Sequence, residues 1–342
     1  MTHRFCRPFF SLQDDDYTKI REIFESGWVS IGGNVARLEQ EFSRICDVEH
    51  AIACSSATVG LLVAVKAAGW RNMRIALPAF TWPSTVFAIE SNSGNAPVFC
   101  DIDEQTWLVD PSGSYDALVM VDTFGNACPP PLTCSSVDTP TIYDAAHGFG
   151  LSQLGHRGLA EVVSFSFTKP VTAMEGGMIL TRDGDFARVA RELCRLVGRM
   201  EEINALVALR SMEGRQERAR QEAVIIGRYR DGLTCAYTEQ KIPYETNNSV
   251  YSILFESSRV RNAAMAALTK LGVETKIYYE PLVEGLSSTD FVYSRILSLP
   301  TYPSIATVQP EIIRTINEAA EYRTPGLSYF RESGYMKTYL RR

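Results

Sequence analysis

The segment 162–180, VVSFSFTKPVTAMEGGMIL, is apolar and rich in residues that favour strands, yet Lys169 lies at its centre. Glu175-Gly176-Gly177 follows six residues later. A lysine in a turn between two strands commonly extends its ammonium group to water. The same position would also suit a catalytic amine. The features of the surrounding chain decide between these two interpretations.

The composition is that of a globular chain with room for more than one domain. Its 342 residues can bury one large core and a smaller one. The net charge of -6 and the lack of a basic run argue against binding to nucleic acid or to an anionic membrane. No stretch approaches the roughly 18 apolar residues of a membrane helix. The start, MTHRFCRPFF, lacks the apolar core of a signal peptide.

Eight cysteines are spread along the chain without a C-x-x-C pair, and only four histidines accompany them. This pattern does not match a zinc site. We therefore expect reduced thiols, mostly as small core residues. Reduced thiols are typical of the cytoplasm, and the sequence predicts a cytoplasmic protein.

Segments that favour strands alternate with segments that favour helices over the first 180 residues. This alternation predicts an α/β domain with a largely parallel sheet flanked by helices. The predicted helices cover 16–26, 34–46, 57–68 and 81–94; the predicted strands lie just before SSAT (55–58) and at 74–78, 96–103, 117–125 and 140–150. Ser55-Ser56, Asp122 and Asp144 lie at strand ends, where functional side chains of such sheets gather.

The second half of the chain has a different pattern. Residues 185–232 read as a long helical connector with a solvated face. After Gly232, short strand and helix patterns predict a small α+β domain followed by an aromatic, basic tail. The sequence therefore predicts a large α/β domain at 8–232 and a small C-terminal domain with its tail at 233–342.

A pyridoxal phosphate (PLP) site needs an amine, a carboxylate for the pyridine nitrogen, a phosphate cradle and a flat surface for the ring. Lys169 can supply the amine and Asp144 the carboxylate. SSATVG (55–60) opens a helix, so its N–H groups and its hydroxyls suit a phosphate. Trp82 offers a flat ring, and Ser164 can add a hydroxyl. The order of these parts along the chain strengthens the interpretation.

Each part also has a purely structural explanation. A Ser/Ala turn before a helix is usually an N-cap. A lone aspartate at a strand end is often a cap as well. Trp82 and His147 could both be core residues.

The motifs together resemble the DegT/DnrJ/EryC1/StrS family of PLP-dependent aminotransferases, in order, over roughly residues 8–320. The segments that carry the resemblance are SGWVSIGGNVARLEQEF, CSSATVGLL, PAFTWPST, PVFCDID, YDAAHGFG, VSFSFTKPVTAMEGG, RMEEINALVALRSM and LSLPTYP. The Asp-Ala-Ala-His group and the spacing from lysine to Glu-Gly-Gly are the most specific of them. The resemblance implies the PLP-dependent transferase fold type I.

The resemblance also implies a role for each candidate residue. Lys169 would carry the Schiff base, Asp144 would pair with the pyridine nitrogen, and His147 would lie near the phenolic oxygen. Trp82 would stack on the ring. The phosphate would be held by Ala57, Thr58 and Ser164, with Ser56 nearby.

The implied activity is ping-pong transfer of an amino group from an amino acid, glutamate by resemblance, to a keto-sugar, by resemblance a nucleotide-linked one. The implied assembly is a homodimer with sites at the subunit boundary. Two alternatives stay open: an altered PLP-fold protein acting on another small keto substrate, and a non-catalytic binding or regulatory subunit.

Three departures from the family pattern concern the surroundings of the cofactor. Ala57 replaces a glycine, so the turn has to avoid a positive φ there or accept strain. The segment 126–143 is short and Pro-rich, which predicts a lost or reduced crossover helix. Before Arg199, Val197 stands where the family has an asparagine. These changes leave the identity of the acceptor open.

Overall fold

A computed structural model describes residues 2–8, 10, 12–92, 94–129 and 139–321. The α-helices are α1 (Asp14–Ser26), α2 (Gly33–Cys46), α3 (Ala57–Ala67), α4 (Pro83–Glu90), α5 (Gly184–Val197), α6 (Glu202–Glu213), α7 (Arg215–Gly232), α8 (Ser258–Lys270), α9 (Ser287–Arg295) and α10 (Gln309–Glu321). The strands are β1 (His50–Cys54), β2 (Arg74–Pro78), β3 (Ala96–Cys100), β4 (Ala117–Val121), β5 (Thr141–Asp144), β6 (Ala160–Ser164), β7 (Gly177–Thr181), β8 (Tyr237–Glu239), β9 (Tyr251–Phe255) and β10 (Ile296–Leu299).

Seven strands form one sheet in the order β1-β7-β6-β5-β4-β2-β3. Strand β7 is antiparallel to both of its neighbours, and the other pairs are parallel. The predicted α/β class and largely parallel sheet are confirmed. Every residue of β4, β6 and β7 is buried, as expected for strands covered on both faces.

Alternate residues of the strands face two separate hydrophobic clusters, since side chains in a strand point to opposite faces. Ala51 packs with α2 and α6, whereas its neighbour Ile52 packs with α3, α4 and α5. Helices therefore cover both faces of the sheet. Within the predicted connector, α5 and α6 are part of this large layer structure.

Local signals explain where several helices begin and end. Gly27, with φ of 69°, adopts the left-handed conformation that ends α1 as predicted. Val35, Leu38 and Phe42 are buried on one face of α2, whereas Ile45, which follows them at the same helical spacing, is 47% exposed. Ile45 belongs to the last turn of α2, just before the left-handed cap at Asp47.

The C-terminal part has its own antiparallel sheet in the order β10-β9-β8. Helices α8 and α10 share one hydrophobic cluster with this sheet, and the last turns of α7 contribute Ile225, Ile226 and Tyr229. The domain boundary after residue 232 stays a prediction. The crossover segment predicted to be shortened includes residues 130–138, and the tail begins at 322; both lie outside the described residues.

Candidate active site

Strand register brings the predicted phosphate-binding residues together. In the β1–β7 pair Cys54 lies opposite Gly177, and in the β6–β7 pair Ser164 lies opposite the same glycine. The turn after β1 and the end of β6 therefore flank the start of β7. Ser164 is buried, and its hydroxyl accepts a hydrogen bond from the N–H of Ser166 at 3.3 Å.

The N-terminus of α3 has the geometry of an anion cradle. Ser56 is the N-cap, and its hydroxyl accepts a bond from the N–H of Val59 at 3.2 Å. Ala57 and Thr58 are the first helical residues, whose N–H groups have no acceptor within the helix. Ala57 is absent from the residues with positive φ, so replacement of the family glycine causes no backbone strain. This turn fits a phosphate group.

Gly177 allows the strand after the lysine to run against this turn. A Cβ atom at Gly177 would lie 2.8 Å from both the carbonyl carbon of Ser56 and the nitrogen of Ala57. Gly198 supports the turn from another side, because its carbonyl accepts a bond from the N–H of Ser55 at 3.0 Å. The two glycines let three backbone segments meet where the phosphate would bind.

Lys169 lies in the turn after β6 and is half-buried, and its Nζ atom is 2.5 Å from Nε2 of His147. Burial lowers the pKa of Lys169 to about 8, an effect that Asp144, Cys6 and Glu175 partly oppose. About a tenth of the amine is therefore uncharged at pH 7, and the uncharged form is the one that a nucleophile requires. The lysine is not a surface residue that extends to water.

His147 links the lysine to the C-terminal part of the chain. Its Nδ1 lies 2.7 Å from the hydroxyl of Ser249, and the hydroxyl of Tyr279 lies 3.2 Å from Nε2. Burial lowers the pKa of His147 well below its usual value, and the neighbouring Lys169 lowers it further. The imidazole is therefore neutral, so Nε2 can accept a hydrogen bond from the amine of Lys169 while Nδ1–H donates one to the hydroxyl of Ser249.

Asp144 is held at the end of β5 by two hydrogen bonds. The hydroxyl of Thr85 donates to Oδ2 at 2.7 Å, and the N–H of Ala146 donates to Oδ1 at 3.2 Å. Burial raises the pKa of this carboxyl group, and these bonds oppose the rise. Both of these donors are uncharged, so a protonated pyridine nitrogen fits as the cationic partner of Asp144.

Trp82 is the N-cap residue of α4 and is followed by Pro83 at the first helical position. Its side chain is 49% exposed, so it is not the core tryptophan that the structural explanation required. Its stacking on the cofactor ring stays a prediction.

Three contacts of this site were missed in the sequence. Thr85 lies within the quoted motif PAFTWPST, one helical turn after Trp82, and that spacing could have suggested it. Ser249 and Tyr279 are at least 100 residues from His147 and carry no local signal.

Within the described residues, no helix is long and apolar enough to cross a membrane.

Solved structures with the same fold include a member of an aminotransferase family and proteins crystallised with a TDP-sugar product or with the cofactor PMP. DesI, crystallised in the presence of its TDP-sugar product, has 25% identity and a TM-score of 0.81, with 93% of each chain covered. A DegT DnrJ EryC1 StrS aminotransferase from Brucella abortus has 24% identity and a TM-score of 0.80, covering 89% of this chain and 95% of that one. NtdA from Bacillus subtilis, with bound cofactor PMP, has 19% identity and a TM-score of 0.78, covering 90% and 83%.

One sequence-family model matches most of the chain. The model of the DegT/DnrJ/EryC1/StrS aminotransferase family matches residues 11–317. The PMP form of NtdA is consistent with the predicted pyridoxal phosphate cofactor of this family. The architecture, a seven-stranded sheet with one antiparallel strand, agrees with the predicted fold type I. The chain belongs to the DegT/DnrJ/EryC1/StrS aminotransferase family, and its enzymatic class is that of a transaminase.

Proposed function

We propose that this protein transfers an amino group from an amino acid, with glutamate as the donor, to a nucleotide-linked keto-sugar in a ping-pong reaction. The observation that carries the proposal is the amine of Lys169, 2.5 Å from His147, beside a phosphate-type turn at the carboxyl edge of the sheet. DesI, which has the same fold, was crystallised in the presence of its TDP-sugar product, and this supports a nucleotide-sugar substrate.

The residues of the site fit the cofactor PLP and divide its binding among them. The first turn of α3, at Ala57 and Thr58, would hold the phosphate together with Ser164, and Ser56 would support that turn. Asp144 would hold the ring nitrogen in its protonated form. Trp82 would cover one face of the ring. When bound, PLP supplies an electron-accepting ring that stabilises negative charge at the donor Cα.

Lys169 is the proton carrier at the reacting carbon. With a pKa of about 8, its amine can accept a proton from the donor Cα and return it as general acid. His147, neutral and anchored by Ser249, keeps the amine oriented between these steps. In the second half of the reaction the same residues would act in reverse order on the keto acceptor.

We further infer a cytoplasmic homodimer. Trp28, Val29 and Ile31 are exposed apolar residues in the SGWVSIGG segment, and Leu196 and Val197 are exposed at the end of α5. Grouped apolar exposure of this kind is common at subunit interfaces. Sedimentation of the PLP-loaded protein tests this inference, and an active monomer contradicts it.

A spectroscopic experiment separates the enzyme from a non-catalytic binding protein. The purified protein is loaded with PLP, and the visible band of the lysine-bound cofactor is compared in wild type, Lys169→Ala and Lys276→Ala. Lys276 is a matched control, since 42% of its side chain is accessible and it is paired with Glu274 at 2.6 Å. We expect the band to disappear only in Lys169→Ala. Failure of the wild type to bind PLP would refute the proposal.

The acceptor is identified from protein loaded with pyridoxamine phosphate. This form is mixed with keto-sugars, nucleotide-linked keto-sugars, inososes and ketoacids, and the return of the visible band is recorded. We expect the fastest return with a nucleotide-linked keto-sugar. A response to ketoacids alone would contradict the proposed acceptor.

A further inference from the structure

The ring nitrogen Nε2 of His147 has two neighbours that can donate a hydrogen bond to it. The Nζ atom of Lys169 is 2.5 Å away, and the hydroxyl of Tyr279 is 3.2 Å away. The other ring nitrogen, Nδ1, lies 2.7 Å from the hydroxyl of Ser249. A neutral imidazole with its proton on Nδ1 has a single lone pair at Nε2. The amine and the phenol therefore compete for one acceptor site.

Aromatic packing holds the ring of Tyr279 in this place. The ring is stacked on that of Phe124 at a centroid distance of 5.2 Å and meets the ring of Phe80 edge-on at 5.5 Å. Phe80 follows β2 and Phe124 follows β4, so both rings lie just beyond strand ends of the large sheet. Only 7% of Tyr279 and 6% of His147 is exposed. A hydroxyl buried in this way needs a hydrogen-bond partner, and Nε2 is within reach of it.

The protonation states of the two rings suit a hydrogen bond from the phenol to the imidazole. Burial raises the pKa of Tyr279 well above its usual value, and Tyr278 and Asp144 raise it further, so the phenol keeps its proton. Burial keeps His147 neutral, so Nε2 can accept. Lys169 is the stronger competitor while its amine is free, because it is mostly charged at pH 7 and charge-assisted hydrogen bonds are the stronger ones.

We propose that Tyr279 is a positioning residue that takes over the hydrogen bond to Nε2 of His147 when Lys169 is joined to the cofactor. The assignment rests on the proposed function, in which the nitrogen of Lys169 carries the Schiff base. That nitrogen then keeps at most one of the three hydrogens of its ammonium group. The phenol of Tyr279 fills the acceptor site that the amine has left. The imidazole proton therefore stays on Nδ1, and the bond to Ser249 keeps the ring in one orientation throughout.

The first test needs no cofactor. The protein is prepared with isotopically labelled histidine, and the chain has only four histidines. Nitrogen NMR then identifies Nε2 of His147 as a signal that is lost in His147→Gln. In Lys169→Met the competing amine is gone and Tyr279 should donate. Adding Tyr279→Phe to that variant should move the signal downfield, towards that of a nitrogen without a donor. In the protein that keeps Lys169, Tyr279→Phe should leave the signal in place.

The second test compares the PLP-loaded proteins. Tyr279→Phe should now move the Nε2 signal downfield and lower the kcat of transfer from glutamate about two- to tenfold, with the affinity for PLP unchanged. Phenylalanine keeps the ring that packs on Phe124, so the fold is preserved. Tyr278→Phe is the matched control, because it removes the hydroxyl of the neighbouring tyrosine, whose ring packs against Phe5. In this control the Nε2 signal should not move.

The proposal is overturned if Lys169→Met gives the same Nε2 signal with and without Tyr279→Phe, or if Tyr279→Phe leaves the signal of the PLP-loaded protein in place. A downfield move in the cofactor-free protein that keeps Lys169 would also overturn it, because the tyrosine would then hold Nε2 in both states. Failure of the proposed function has a different signature. The wild type then binds no PLP or transfers no amino group, while the two cofactor-free Lys169→Met proteins still differ as expected.

Discussion

Replacement of Arg157 by methionine should strongly destabilise the protein. Arg157 is buried between two carboxylates, with Nη2 at 2.7 Å from Asp122 and 2.5 Å from Glu161. Burial disfavours its charge, but the two carboxylates outweigh that effect and raise its pKa. The network lies directly behind the active site, since the N–H of Asp122 donates to the carbonyl of Asp144 at 3.1 Å.

The size of the destabilisation follows from the two carboxylates, of Asp122 and Glu161, that lose their partner. Breaking a buried ion pair by removing one partner costs about 3–5 kcal/mol, because the remaining charge is uncompensated. Unfolding entropy of about 2.1 cal/mol/K per residue gives about 0.7 kcal/mol/K for 342 residues. The melting temperature should therefore fall by about 4–7 °C, as measured by calorimetry.

The loss of stability in Arg157→Met should depend on pH. Burial already raises the pKa of Glu161, while Arg157 opposes that rise, so the variant should have a still higher pKa at this carboxyl group. A group with a higher pKa in the folded state binds more protons there, so folding is favoured as the pH falls. The difference in stability from wild type should therefore shrink as the pH falls towards the ordinary pKa of a glutamate. Adding Glu161→Gln to the variant should also recover stability.

Arg188→Met is the matched control. Arg188 lies on the exposed face of α5, with ion-pair distances of 3.9 Å to Asp185 and 3.6 Å to Glu192. Exposed pairs of this kind contribute little, so its melting temperature should stay near that of wild type. Equal effects of the two substitutions, or a loss in Arg157→Met that grows as the pH falls, would refute the reasoning.

Three other predictions concern the site itself. Because the pKa of Lys169 is lowered to about 8 in the folded protein, the unfolded chain binds more protons than the folded one above that pH. The stability of the cofactor-free protein, measured by urea unfolding, should therefore rise from about pH 8 to 10. Lys169→Met should abolish this rise. Thr85→Val removes the bond to Asp144 and should weaken PLP binding about tenfold in a fluorescence titration, whereas unchanged binding would exclude this support. Gly177→Ala should displace the turn at Ser56 and Ala57 and so lower the affinity for PLP. Gly227→Ala is the control, because its Cβ would meet nothing within 4 Å, and it should leave the affinity unchanged. Equal affinities of the two variants would contradict the close approach of Gly177 to this turn.

Much of the large domain could be predicted because its signals are local. Alternating patterns give the strands, Gly27 marks the end of α1, and polar residues mark the carboxyl ends of the strands. Ile45 shows the limit of such patterns, since its spacing predicts burial but it is exposed in the last turn of α2. Helical periodicity identifies a face, and only packing decides how much of that face is covered.

The sequence by itself predicted roles for Lys169, Asp144 and the turn at 55–60, because each lies in a short motif whose chemistry is visible locally, and these roles stay predictions. The tertiary structure decided which groups surround them. Ser249 and Tyr279 reach His147 only because the C-terminal part packs over the strand ends. Burial and the proximity of other charged groups set the pKa values of these side chains. Burial and proximity in turn arise from contacts between residues far apart in the chain.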